Sequence, residues 1–303
     1  MKDMIYDVVV VGGGPGGYTA ALYGARSGFS VLLLEKLSPG GQMATTTMVD
    51  NYPGFEEGID GFELGEKMQK GAERFGAETA FVDVTGVSLD GEVKEIQTSK
   101  GIVRARAVVL ATGASPRELG LLEESQLRGR GVAYCAACDG MMYRGKTVVV
   151  AGGGNSAAAD AIYLSKICKK VYLVHRRDSL RASKIYEEPL KNSGVEFVWN
   201  SQIKEILHDK KVTGVLVEHK DGTRREIPCD GVFAAIGRVP ETGLFKGQLE
   251  LDAQGYIVAD ETTRTSLSGV FAVGDVRTKP MRQIVTAAAD GAVASHFIEE
   301  YLS

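Results

Sequence analysis

Two cysteines separated by two residues are the side chains of this chain best suited to electron transfer. Cys135 and Cys138 lie in the segment Tyr-Cys-Ala-Ala-Cys-Asp-Gly, and thiols at this spacing can close a small disulfide that exchanges with a partner dithiol. The same spacing also supplies half of a zinc site, which would need two more ligands. The other cysteines, Cys168 and Cys229, stand alone in the sequence, so redox chemistry is the favoured interpretation.

A strand, a glycine-rich turn and an Ala-rich helix follow one another at two places in the chain. β-Branched runs at 7–11 and 147–151 precede the turns. The residues of the first turn are Gly12, Gly14 and Gly17, and those of the second are Gly152, Gly154, Asn155, Ser156 and Ala157. In a dinucleotide-binding unit the first glycine permits a tight turn, the second lets the backbone approach a pyrophosphate, and the third position keeps helix and strand close. Two nucleotide sites are therefore predicted, each at a helix N-terminus that offers N–H groups to phosphate.

The two copies differ at the end of their second strand. Glu35 follows the strand 31–34 of the first copy, whereas a basic segment follows the strand 171–174 of the second. That segment contains His175, Arg176, Arg177 and Arg181. A carboxylate accepts hydrogen bonds from a free ribose diol, whereas guanidinium groups suit a 2′-phosphate. The first unit is therefore predicted to hold an adenosine with a free 2′-hydroxyl, and the second to hold NADPH; the alternative is that both turns serve packing only and the arginines are a solvated strand end.

Length and charge limit the remaining classes. The chain has 303 residues, and its 35 basic and 39 acidic side chains give a net charge of −4, which leaves no surplus of positive charge for a nucleic acid. No apolar run approaches the about 20 residues of a membrane span, so no membrane association is expected. Four cysteines, two of them in one pair, indicate a reducing compartment, and we expect a cytoplasmic protein.

The order of strands and helices predicts an α/β fold with two Rossmann-like dinucleotide-binding domains, one inserted in the other. Further strands of the first domain are expected at 108–113 and 269–275, each ending in a glycine turn. Pro116 and Pro240 supply breaks where the chain could cross between domains. We predict that the first domain comprises residues 1–115 and 244–303, and that the second comprises residues 116–243.

These motifs together resemble one family, the low-molecular-weight, bacterial-type thioredoxin reductases. The resemblance runs over nearly the whole chain. Besides the glycine turns, the cysteine pair and the arginine segment, it rests on Gly40-Gly-Gln42, Asn51-Tyr-Pro-Gly54, Ala111-Thr-Gly113, Gly274-Asp275 and Arg282-Gln283. It implies a fold of the pyridine nucleotide-disulfide oxidoreductase type, FAD in the first domain, NADPH in the second, a homodimer, and electron transfer to thioredoxin or a similar dithiol protein.

The resemblance also implies residue roles. Cys138 would face the flavin, Cys135 would attack the partner disulfide, and Asp139 would act as general acid, although an ordinary Asp-Gly turn is the alternative for Asp139. The FAD site would include Gly12, Gly14, Gly17, Glu35, Gln42, Asn51, Thr112, Gly113, Gly274, Asp275, Arg282 and Gln283. Rotation of the second domain about its two connections would present the nicotinamide and the disulfide to the flavin in turn.

Two departures from the family pattern and three different functions stay open. Met141 and Met142 stand where members often carry two aromatics, and Ala159 and Asp160 stand where many carry paired acids. The first of the three functions is a ferredoxin- or flavodoxin-coupled reductase, which would share the architecture but lack the cysteine pair. The second is electron donation to a glutaredoxin-like or peroxidase-linked protein. The third is a nucleotide- or redox-sensing module, which a yellow protein that bleaches with NADPH would exclude.

Overall fold

The computed structural model describes residues 4–46 and 48–303 and divides into two compact units. Unit 1 comprises Met1–Ser115 and Val239–Ser303, and unit 2 comprises Pro116–Arg238. The second division therefore lies at 238/239, whereas the sequence predicted 243/244. Glu241 accounts for the difference, since its N–H donates to the Gly113 carbonyl oxygen (3.0 Å) and its own carbonyl oxygen accepts from the Thr112 hydroxyl (2.8 Å).

The first stretch of unit 1 forms most of a parallel sheet with two helices. Its elements are β1 (Ile5–Val11), α1 (Pro15–Arg26), β2 (Val31–Glu35), α2 (Gly61–Glu73), β3 (Glu78–Phe81), β4 (Val84–Ser88), β5 (Lys94–Thr98) and β6 (Gly101–Leu110). The strand order is β3-β2-β1-β6-β5-β4, parallel except for the antiparallel β4, β5 and β6 ribbon. Val9 and Val11 enter one core cluster and Val8 and Val10 another, which confirms that β1 is buried on both faces.

Unit 2 contains its own parallel sheet and an antiparallel one. In chain order its elements, with the two crossing strands, are β7 (Ala114–Pro116), β8 (Val132–Ala133), α3 (Ala136–Asp139), β9 (Thr147–Ala151), α4 (Asn155–Ser165), β10 (Lys170–Val174), α5 (Glu187–Asn192), β11 (Glu196–Val198), β12 (Ser201–His208), β13 (Val212–His219), β14 (Arg224–Pro228), β15 (Gly231–Ala234) and β16 (Arg238–Pro240). The parallel order is β11-β10-β9-β15-β8, and β12, β13 and β14 form the antiparallel sheet. The crossing strands β7 and β16 pair with each other.

The chain then returns to unit 1 with β17 (Val270–Ala272) and α6 (Ile284–Leu302). β17 pairs in parallel with β6, so the sheet of unit 1 has seven strands. α6 lies against α1, and the contact depends on small residues: a methyl group at Gly16 would lie 3.0 Å from the Ala287 carbonyl oxygen, and one at Gly291 would lie 2.7 Å from the Ala20 nitrogen. Among the described residues, no helix is both long and apolar enough to cross a membrane.

Candidate redox centre and dinucleotide sites

Cys135 and Cys138 form a disulfide in unit 2, with their Cα atoms 5.3 Å apart. Cys135 stands just before α3, and its carbonyl oxygen accepts from the N–H groups of Cys138 (3.2 Å) and Asp139 (3.0 Å). Both cysteines are partly exposed. One helical turn therefore holds the two sulfurs together at a position that solvent reaches.

Asp139 follows the disulfide where α3 packs against α4. A methyl group at the neighbouring Gly140 would lie 2.8 Å from the Tyr163 ring and 3.1 Å from Leu164, so the helices approach closely here. Burial raises the pKa of Asp139 to about 6. A carboxyl group with this pKa is partly protonated near neutral pH and can donate a proton to a departing thiolate.

Asp160 on α4 is a second carboxyl group with a raised pKa. Burial raises the pKa of Asp160 to about 6, and the positive charge of Arg238 offsets part of this effect. Ala159, beside it, is exposed. One of the two positions where many family members carry acids therefore keeps a titratable group, and the other does not.

The two remaining cysteines of unit 2 are free thiols. Cys229 is buried and Cys168 is partly buried near the end of α4. Burial raises the pKa of Cys168 to about 11 and that of Cys229 to about 12, and the nearby Asp230 adds to both shifts. Both thiols therefore stay protonated at neutral pH.

The first glycine turn joins β1 to α1 in unit 1. Gly12 has φ +110°, a left-handed conformation that favours glycine, and Gly14 precedes the first turn of the helix. A methyl group at Gly17 would overlap the Gly12 carbonyl oxygen, which explains why the third position is a glycine. No described atom lies within 4 Å of a methyl group placed on Gly14, so the backbone there faces open space, as a bound pyrophosphate requires.

Glu35 lies against the first glycine turn. Its Oε2 accepts from the Gly13 N–H at 2.7 Å, and its Oε1 accepts from the N–H groups of Lys36 and Leu37. Three backbone donors thus fix the carboxylate at the carboxyl end of β2. This is the location at which an adenosine ribose is bound in dinucleotide-binding units.

Other motifs on which the resemblance rests contact this turn or each other. The Gly40 N–H donates to the Gly13 carbonyl oxygen at 2.8 Å, and the Gln42 side chain donates to the Ala114 carbonyl oxygen. The Asn51 side chain donates to the Gln283 side chain at 3.0 Å. The Gln42 side chain thus reaches the segment that follows β6, and Asn51 lies beside the N-terminus of α6.

Arg282 and Asp275 occupy the segment between β17 and α6. The Arg282 guanidinium stands over the Tyr256 ring, 4.0 Å from its centroid. Asp275 is partly exposed in the turn that begins at Gly274, whose φ of +74° again favours glycine. The structure thus brings Arg282, Gln283 and Asn51 to the N-terminus of α6, where the helix dipole favours negative charge.

A buried charge cluster beside this segment was not predicted from the sequence. Asp290 on α6 accepts from Arg277 (3.0 and 3.1 Å), from Lys279 (2.7 Å) and from the Gly274 N–H (2.8 Å). These hydrogen bonds hold the pKa of Asp290 below its ordinary value, although burial alone would raise it. In the sequence, Asp290 stands among alanine and glycine residues, and nothing near it indicates that Arg277 and Lys279 bind its carboxylate.

The second glycine turn joins β9 to α4 in unit 2 and repeats this geometry. A methyl group at Gly152 would lie 2.7 Å from Cβ of Ala157, and Ala157 is fully buried. No described atom lies within 4 Å of a methyl group on Gly154, so this turn also leaves room over the helix N-terminus. The Asn155 side chain accepts from the Ser183 N–H at 2.8 Å and ties the turn to the segment after β10.

His175 differs from the arginines that follow it. Its ring covers Gly153 as Glu35 covers the first turn, and the residue is only 5% exposed. Burial lowers the pKa of His175, and the charge of Arg181 lowers it further. Arg176, Arg177 and Arg181 are exposed, so these three guanidinium groups, rather than the imidazole, are free to approach a phosphate from solvent.

Comparisons with known proteins agree with this geometry. A family model described as pyridine nucleotide-disulphide oxidoreductase matches residues 6–291. Thioredoxin reductase from Listeria monocytogenes is 46% identical over 99% of this chain and 95% of its own length. The chain belongs to the thioredoxin reductases. The same enzyme from Bacillus subtilis is 43% identical over 99% of this chain and 96% of its own.

Solved structures of thioredoxin reductases agree over the full chain. The one from Streptococcus pyogenes superposes with a TM-score of 0.91 at 43% identity and covers 99% of both chains. The one from Lactococcus lactis superposes with a TM-score of 0.70 at 41% identity and covers 98% of this chain and 99% of that one. The predicted fold type is therefore confirmed, and pyridine nucleotide and flavin are the cofactor classes of the family.

Proposed function

We propose that this protein is a thioredoxin-disulfide reductase that passes electron pairs from NADPH through FAD and the Cys135–Cys138 disulfide to oxidised thioredoxin. The observation that carries the proposal is the disulfide itself: it lies partly exposed in unit 2, the same unit whose glycine turn is followed by Arg176, Arg177 and Arg181. A reductase that uses a protein electron carrier in place of a dithiol would not need this pair.

FAD is the dinucleotide proposed for unit 1. The open space over Gly14 and the three-donor anchoring of Glu35 suit a pyrophosphate and a ribose with a free 2′-hydroxyl. Asn51, Gln283 and Arg282, at the start of α6, are proposed to orient the ring, and Asp275 to hold the ribityl or phosphate region. When bound, the flavin would accept a hydride and release the electron pair to a disulfide.

NADPH is the nucleotide proposed for unit 2. The backbone at Gly152 and Gly154 would receive the pyrophosphate, and the exposed guanidinium groups would receive the 2′-phosphate through charge-assisted hydrogen bonds. His175 would support the glycine turn from beneath.

The proposed thiol steps use the roles that the family resemblance implies for the two cysteines. In the dithiol form the Cys135 thiolate attacks a sulfur of the thioredoxin disulfide, and one thioredoxin sulfur leaves with a proton from Asp139. The Cys138 thiolate then attacks the Cys135 sulfur. This second exchange re-forms the Cys135–Cys138 bond and releases thioredoxin with both of its sulfurs reduced.

A Cys135→Ser variant tests the proposal, with Cys168→Ser as the matched control for loss of a thiol. Both purified proteins are expected to be yellow and to bleach with NADPH under argon. Only the Cys168→Ser protein is expected to reduce thioredoxin, measured as NADPH oxidation. With the wild type, NADH is expected to replace NADPH poorly. A colourless wild-type protein, or thioredoxin reduction by Cys135→Ser, would contradict the proposed electron route. A glutaredoxin-like acceptor in the same assay distinguishes thioredoxin from a different dithiol partner.

A further inference from the structure

The carboxylate of Glu124 is buried in the segment that precedes the disulfide in the chain. Glu124 is only 1% exposed. Its Oε1 accepts from the Leu119 N–H at 2.8 Å, and its Oε2 accepts from the Gly120 N–H at 2.8 Å and the Leu121 N–H at 3.4 Å. Backbone donors thus stabilise the charge, and the loop 119–121 is fixed around it.

Tyr134, the residue before Cys135, is tied to this carboxylate. Its hydroxyl donates to Glu124 Oε1 at 2.8 Å. The Arg128 guanidinium stands 4.8 Å from the centre of the Tyr134 ring and pairs with Glu118 at 2.9 Å. Burial raises the pKa of Tyr134 to about 12, and the Glu124 acceptor contributes to this, so the phenol remains a donor at neutral pH.

Cys135 is therefore held from both sides along the chain. On its C-terminal side, its carbonyl oxygen accepts the first hydrogen bonds of α3. On its N-terminal side, the Tyr134 side chain is fixed by a hydrogen bond to a buried charge, the stronger type of hydrogen bond. Neither tie passes through the sulfur, so both can persist when the disulfide opens.

We propose that the Tyr134–Glu124 hydrogen bond is a positioning device for Cys135, which keeps its sulfur close to Cys138 in the dithiol form and so favours closure of the disulfide. The inference rests on the proposed redox role of the pair. A fixed Cys135 raises the effective concentration of one thiol at the other, and a mobile Cys135 lowers it. Loss of the hydrogen bond therefore shifts the equilibrium toward the dithiol.

The test is the equilibrium of the full-length protein with glutathione. Two glutathione thiols supply two electrons and two protons, the Cys135–Cys138 bond breaks, and one glutathione disulfide forms. Acid quenching, alkylation and mass spectrometry give the dithiol fraction at each glutathione ratio. For Tyr134→Phe we expect the equilibrium to move toward dithiol by about three- to tenfold, where tenfold corresponds to about 30 mV for a two-electron couple.

Tyr172→Phe is the matched control. Tyr172 packs against the same core cluster as Tyr134 and also carries a cation over its ring, Lys170 at 5.4 Å. We expect its glutathione equilibrium to match that of the wild type. A Tyr134→Phe protein with a wild-type equilibrium would overturn the inference, and so would an equal shift in Tyr172→Phe, because the effect would then be general loosening of unit 2.

Glu124→Gln extends the test to the other partner and covers the case of a Tyr134→Phe protein that does not fold. The amide leaves one acceptor oxygen for the backbone donors and the phenol, so a shift toward dithiol is again expected. If the two residues act through one bond, the double variant will shift no further than the larger single variant. Independent, additive shifts would contradict that link. If the wild type fails to reduce thioredoxin, the proposed function is wrong. The glutathione equilibria still test the positioning role, because they are measured without thioredoxin.

Discussion

Asp139 lies next to Cys138, where the close packing of α3 against α4 buries its carboxyl group. Its carboxyl group is protonated below a pKa of about 6 and loses that proton as the pH rises, so a general acid at this position becomes less available above pH 6. We expect the rate of thioredoxin reduction to fall across this range in the wild type. Asp139→Asn should be slow at every pH and should lack the limb near pH 6 in a steady-state pH profile.

Asp209→Asn is the control for Asp139, since Asp209 is an exposed aspartate of the same unit and lies outside both proposed sites. Its pH profile should match that of the wild type. An unchanged limb in the Asp139→Asn protein would assign the titration to another group, of which Asp160 is the first to test.

The sequence predicts some of these residues and not others. The cysteine pair and the glycine turns can be read from spacing, because each follows a local geometric rule. The raised pKa of Asp139 arises from the close approach of α3 and α4 at Gly140, a contact that spacing does not express. Glu124 has no sequence signal, because the phenol that donates to it reaches it only in the folded unit.

Single helices differ in how clearly the sequence marks their ends. α1 begins at Pro15 and ends at Arg26, just before Gly28 in a left-handed conformation, which is the arrangement that an N-terminal proline and a C-terminal glycine favour. α4 ends at Ser165 and α6 at Leu302, and neither end is followed at once by a glycine or a proline. The ends of these two helices therefore lack the local signal that marks the end of α1.

The turn between β1 and α1 allows a paired prediction. Gly17→Ala places a methyl group onto the Gly12 carbonyl oxygen and should lower the melting temperature and prevent retention of FAD. Gly14→Ala places the same group in open space at an extended backbone position, so the apoprotein should keep its melting temperature. Its affinity for FAD should fall, because the methyl group occupies the approach of the pyrophosphate. Equal melting temperatures for the two apoproteins would contradict the packing role of the third glycine.

The charge cluster on α6 predicts a stability effect with a defined pH dependence. Asp290→Asn leaves Arg277 and Lys279 buried without their carboxylate and should lower the free energy of unfolding at pH 7 by about 3 kcal/mol. The folded pKa of Asp290 lies below its unfolded value, so its contribution is present above about pH 4 and is lost as the pH falls through the folded pKa. The difference between wild type and variant should therefore shrink toward pH 3 in urea titrations.

Glu299→Gln on the same helix is the control, because Glu299 is exposed. Its unfolding free energy should stay within about 0.5 kcal/mol of the wild-type value. A similar loss in both variants would point to a general effect of charge on α6 rather than to the buried cluster.

The fold contains the same strand-turn-helix motif twice, once in each unit. Two strand-turn-helix motifs in a chain of 303 residues were enough to predict two Rossmann-like domains, one inserted in the other, because each motif fixes a parallel strand order around itself. The units divide at 238/239 and the predicted boundary lies at 243/244; the two differ because prolines mark a break but not the side to which a crossing segment belongs. The hydrogen bonds of Glu241 to Thr112 and Gly113 join residues 239–243 to unit 1. No local sequence pattern predicts these bonds.

Homodimer formation is the prediction at this scale. The expectation rests on the resemblance to the bacterial-type thioredoxin reductases. Light scattering at micromolar protein should give twice the chain mass of 32.4 kDa. A mass of one chain at that concentration would contradict the expected dimer.

The two solitary thiols have a consequence for how long the protein can keep working. Cys168 and Cys229 hold their protons so firmly that almost no reactive sulfur anion exists at either position under physiological acidity. We therefore expect both to stay out of mismatched bridges while the Cys135–Cys138 pair cycles. With that pair in its dithiol form, peroxide is expected to oxidise the pair before either solitary thiol, and mass spectrometry of the exposed protein checks that order.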